Sequence, residues 1–76
     1  MKQKPCIFTG ECQFGKLTIE VLQGDGQYIK HEAKAYCTIF GKRYEETVYD
    51  DDVNIAIREA GNKLINKLKS KFNVWN

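Results

Sequence analysis

Few side chains in this sequence could carry covalent or acid–base chemistry. They are one histidine, His31, three cysteines, Cys6, Cys12 and Cys37, and an acidic run of Glu45, Glu46, Asp50, Asp51 and Asp52. A cysteine nucleophile needs a base within hydrogen-bonding reach and a third group to orient that base. On an extended strand His31 and Cys37 share a face but sit about 20 Å apart, and nothing marks an orienting group. Cys6 and Cys12 are separated by the same distance, far outside the roughly 7 Å between Cα atoms that a disulfide tolerates. There is no Cys-x-x-Cys pair, and a lone histidine does not complete a zinc set. The thiols therefore read as reduced, small strand hydrophobes. Three consecutive aspartates at a change of hydrophobic period read as a solvated helix cap rather than a metal or acid–base site. No glycine-rich phosphate loop, P-loop or nucleophile elbow is present. The pattern points to no catalysis, metal or cofactor, and toward binding.

The elements that would position these residues follow from hydrophobic period. Cys6, Phe8, Cys12 and Phe14 alternate with polar residues, as do Leu17, Ile19 and Val21 after Gly15. Period two means a half-buried strand. Gly24-Asp25-Gly26 is a turn signal. Next, Ile29, Ala33, Ala35, Cys37 and Ile39 share a face opposite Lys30, Glu32, Lys34, Tyr36 and Thr38. Gly41-Lys42 predicts a tight hairpin into a fourth strand where Tyr44 and Val48 alternate with Glu45 and Thr47. From Val53 the spacing becomes three and four: Val53, Ile57, Ala60, Leu64, Leu68 and Phe72, widened by Ala56, Gly61 and Ile65, form one apolar stripe. Asp50-Asp51-Asp52 offers the N-cap. Gly61 costs the helix about 1 kcal/mol relative to alanine, which predicts close approach to the alanines of the third strand. Ile55 is expected to face solvent. The expectation is a single α+β domain over 1–76, with antiparallel strands at 5–14, 16–22, 28–40 and 43–49 and one helix at 53–72 packed on one face (ββββα).

Seventy-six residues with 42% apolar and 29% charged side chains make one small globular domain. No stretch approaches the roughly 20 apolar residues of a membrane span. MKQKPCIFTG has no apolar run behind its two lysines, so the expected setting is cytoplasmic. The net charge of +2 imposes no overall field.

Local charge is more informative. The helix carries Arg58, Lys63, Lys67, Lys69 and Lys71 against a single acid, Glu59, and Lys30 and Lys34 lie on the longest strand beside Tyr28 and Tyr36. Cations with aromatic neighbours suit phosphates and stacked bases. The first expectation is thus a non-enzymatic binding module that contacts structured RNA or a ribonucleoprotein through these seven cations. The rival is a protein-binding inhibitor, of the sort that small phage-encoded anti-CRISPR proteins represent. It would act through an acidic patch of Glu45, Glu46, Asp50, Asp51 and Asp52, with Ile55 and Trp75 as anchors. A third is a homodimer formed by sheets pairing edge to edge or stacking faces.

The hairpin Ala35-Tyr36-Cys37-Thr38-Ile39-Phe40-Gly41-Lys42, an acidic step, and then Asp52-Val53, Ala56-Ile57, Lys63-Leu64 and Leu68 occur in that order. With this series the segment from about Gly26 to Lys71 resembles the second half of the ribosome hibernation-promoting factor family. Those are small ribosome-binding proteins whose βαβββα fold is related to the double-stranded-RNA-binding domain. The resemblance implies a two-layer sheet–helix fold and places Lys63, Lys67, Lys69 and Lys71 on the side that meets ribosomal RNA. The family's first strand and first helix have no counterpart, since residues 1–22 supply two strands instead.

Overall fold

A computed structural model describes residues 5–25 and 27–72; Trp75 lies outside them. Strands β1 (Cys6–Cys12), β2 (Gly15–Leu22), β3 (His31–Ile39) and β4 (Lys42–Asp50) are followed by helix α1 (Val53–Phe72). The sheet order is β1-β2-β3-β4, every neighbouring pair antiparallel. The chain is an α+β meander backed by one C-terminal helix, as its hydrophobic rhythm requires. No helix among the described residues is long and apolar enough to cross a membrane.

The strand bounds depart from the sequence reading by one to three residues, and three of the departures have a clear local reason. β1 stops at Cys12 rather than residue 14, because Gln13 and Phe14 form the turn and Gly15 follows at φ 111°, a backbone state open to glycine. Phe14 still faces the core from this turn, its ring 6.2 Å from that of Phe72. β3 begins at His31 rather than residue 28. The Asp25 carboxylate draws the backbone N–H groups of Gln27, Tyr28 and Ile29 onto Oδ1 at 2.8 Å each, which curls the chain into a loop. Ile29 therefore leaves the inner face and is exposed. The β3–β4 turn is Phe40-Gly41 rather than Gly41-Lys42, so β4 starts one residue early.

The helix crosses β3 and β4 and reaches only the near side of β2. Ala33, Ala35, Ala56 and Ala60 are completely buried at this seam, and Leu64, Leu68, Val21 and Cys37 fill the volume beside it. Asp52 is the N-cap, its Oδ1 accepting from Asn54 N–H at 2.9 Å and Ile55 N–H at 3.4 Å. Gly61 does not mark the closest approach. A methyl group there would meet only Ile19 Cδ1 at 3.7 Å, an ordinary contact, over β2 rather than over the alanines. Gly61→Ala is therefore expected to stabilise the fold by about 1 kcal/mol, read as a higher urea midpoint with unchanged slope. Ile55 is half-buried rather than solvent-facing; a helical side chain leans back over the preceding turn, here the strand–helix junction.

A helix about 10 Å across spans roughly two strands spaced near 4.8 Å. β1 therefore lies beyond its cover. The alternation read from sequence holds, but neither face is shielded: Ile7 is 58% and Phe8 51% exposed.

Candidate nucleic-acid interface

The seven predicted cations do not share one surface. Lys34 is the cross-strand partner of Glu20 and Thr47 on the sheet face turned away from the helix, a consequence of period two beside buried Ala33 and Ala35. Lys30 sits in the β2–β3 loop, beside a depression of about 410 Å³ lined partly by Leu22, Ile29, Glu32 and Tyr49. The helical cations form two lines. Lys63, Lys67 and Lys71 recur every fourth residue and so share a flank. That flank lies over β4, since Lys67 Nζ meets Glu46 Oε2 at 2.9 Å and the Glu45 carbonyl at 3.4 Å. Arg58 and Lys69 fall about half a turn away, on the flank that Gly61 and Ile65 turn toward β2.

The acidic residues also separate. Glu45 and Glu46 are consecutive on a strand and point to opposite faces. Glu45 accepts from Arg43 at 3.1 Å on the open face, whereas Glu46 pairs with Lys67 on the helix side. Asp50 Oδ1 accepts from Asp52 N–H at 2.9 Å, and the Asp52 carboxylate caps the helix. Asp51 is exposed beside them. The run is a junction with its own hydrogen bonds, not one continuous docking patch.

Of what the structure does bring together, only Lys71 was singled out from sequence. Lys42 Nζ and Lys71 Nζ converge on the ring of Tyr44, 5.6 and 5.8 Å from its centroid, one from a strand and one from the last turn of the helix. Tyr44 is held by an edge-on contact with Phe72, centroids 5.8 Å apart. Neither ammonium makes an ion pair among the described residues. Phe40 stands at the adjoining turn, 97% exposed and at φ 52°. With Gly41 at φ 79°, both turn residues are left-handed, the pattern of a type I′ hairpin in which asparagine is the usual first residue. A phenylalanine there costs roughly 1–2 kcal/mol of backbone strain and buries nothing. The signal was available in sequence: Phe-Gly stands where Asn-Gly is expected, between two flanking strands. Behind the turn the Arg43 guanidinium lies 3.8 Å from the Tyr36 ring centroid, and the Tyr36 hydroxyl donates to Glu20 Oε2 at 3.1 Å. Partial burial and that carboxylate push the Tyr36 phenol above its ordinary range.

The titratable groups elsewhere serve structure. His31 Nδ1 accepts from Gly24 N–H at 3.1 Å, and a Cβ at Gly24 would overlap the Ile29 carbonyl, so glycine is required where the loop closes. Burial pushes the Cys37 thiol up, the neighbouring Cys12 adding to it, which opposes thiolate chemistry. Among the described residues no group of three or more His, Cys, Asp or Glu could hold a metal ion. Asp25 is held below its usual value of 3.8 by the Ile29 N–H first, then those of Gln27 and Tyr28. A carboxyl lowered by folding contributes stability above its unfolded value and loses it as pH falls through the folded one. The 25–29 loop is therefore expected to loosen in acid below about pH 3.8 while β3 and α1 persist. The amide resonances of Gln27, Tyr28 and Ile29 in a pH titration report this; loss of core signals at the same pH would contradict it.

Compared with known proteins, the chain matches no family model, no curated protein and no solved structure.

Proposed function

We propose that this chain is a non-catalytic RNA-binding module that grips an unpaired segment of a structured RNA at the end formed by the β3–β4 turn and the C-terminal part of α1. The observation that carries the reading is the convergence of Lys42 and Lys71 on Tyr44 beside a fully presented Phe40. Ammonium groups without carboxylate partners are ready to replace counterions on phosphates. An aromatic ring held clear of the fold is a platform for a base, and single-stranded loops are where RNA presents bases to stack. Lys63 and Lys69 extend the positive field along both flanks of the helix. Lys30 and Lys34 stand on other surfaces and take no part. The hibernation-factor resemblance supports the same end of the helix through Lys63, Lys67, Lys69 and Lys71.

Fluorescence anisotropy with a labelled RNA stem–loop, a blunt RNA duplex and a single-stranded DNA tests this. The stem–loop is expected to bind most tightly, with a log–log salt slope of about −2 to −3 for three to four phosphates neutralised. Lys71→Glu should weaken binding and flatten that slope. Affinity indifferent to salt and to Lys71→Glu would end the RNA reading.

A further inference from the structure

The two edges of the sheet are built differently. β4 carries five charged residues in nine, the usual guard against edge pairing. β1 carries one in seven, Glu11, and is exposed on both faces with its outer backbone unpaired among the described residues. A sparsely charged, unshielded edge of this kind is an aggregation hazard unless something covers it.

The structure assigns that cover to a second copy of the same chain, joined antiparallel through β1 about a twofold axis at Thr9. This register overlaps all seven strand residues and keeps the helices of both copies on one side. On the helix side Phe8 then lies opposite Gly10 of the other copy. The space above Gly10 is open, since a Cβ there would meet nothing within 4 Å, and a ring placed over a strand glycine restores the contacts the glycine lacks. Thr9 meets Thr9, a favourable cross-strand pair. The only charge, Glu11, falls opposite Ile7 and already has Lys16 beside it on β2, so like charges do not meet. Shifting the register in either direction shortens the ladder. Cys6 falls opposite Cys12 of the other copy on the helix side, and directly opposed Cα atoms 4.5–5.5 Å apart suit a disulfide. A strand of about 23 Å makes a small interface, so the dimer is a weak one.

Sedimentation equilibrium between about 1 µM and 1 mM is expected to show the mass rising from 8.8 kDa toward twice that value. Phe8→Lys, at a half-exposed position, should weaken association at least tenfold with the circular dichroism unchanged. Should Phe8→Lys disturb the fold, Ile7→Lys on the opposite face serves in its place. Diamide, which takes two electrons and two protons from a pair of thiols, should trap covalent dimers joined Cys6 to Cys12 between chains. A mass of 8.8 kDa at every concentration, dimers indifferent to the lysine substitutions, or links between chains dominated by Cys6–Cys6 or Cys12–Cys37 pairs would overturn the assignment.

Discussion

Phe40→Asn is expected to make the protein more stable and a poorer RNA binder at once. Asparagine tolerates the left-handed backbone that Phe40 adopts at φ 52° and is favoured before glycine in a two-residue hairpin. Relief of the strain should raise the unfolding free energy by about 1 kcal/mol. The same change removes the ring on which a base would stack, an interaction worth about 1–3 kcal/mol, or about fivefold to 150-fold in Kd. Chemical denaturation and anisotropy on one variant read both effects. An aromatic retained only by chance would give the stability gain with no loss of affinity, and that result would refute the role assigned to Phe40. Opposed effects on folding and binding are what a residue kept against local preference should show.

Leu64→Ala should lower the unfolding free energy by about 2–5 kcal/mol. Leu64 is completely buried between the helix and the sheet, among the few large side chains so placed. Four of the eight fully buried core residues are alanines, whose methyl groups are too short to collapse into the vacated volume. A domain of this size has a total stability near the low end of the usual 5–15 kcal/mol, so the variant should be substantially unfolded at 37 °C. Urea titration gives the number. A loss under about 1 kcal/mol would mean that the helix is not seated as described.

The layer structure was legible because one rule dominates it. Period two up to Tyr49 and period 3.6 after Val53 leave a sheet and a helix with one greasy surface each, and Ala33, Ala35, Leu64 and Leu68 landed where the rhythm put them. What escaped was set by single hydrogen bonds and by breadth. The three N–H groups gathered by Asp25 cost β3 its first residues, and no periodicity encodes that. The width of one helix leaves β1 uncovered, and residue spacing along a strand is silent about lateral extent. The division of the basic set is similar: Lys34 and Lys63 look alike as letters, yet the sheet stands between them. Phe40 escaped because a turn was read for its glycine, while the residue before that glycine carried the anomaly.

The simple strand order has a consequence for how the chain acquires its shape. Each strand pairs only with its neighbours along the chain, so the hairpins can close locally within microseconds and with little loop entropy. The sheet then waits with Val21, Ala33, Cys37 and Val48 facing water until the twenty residues of α1 arrive to shield them. Docking of that final segment, rather than strand pairing, is the step expected to limit the folding rate.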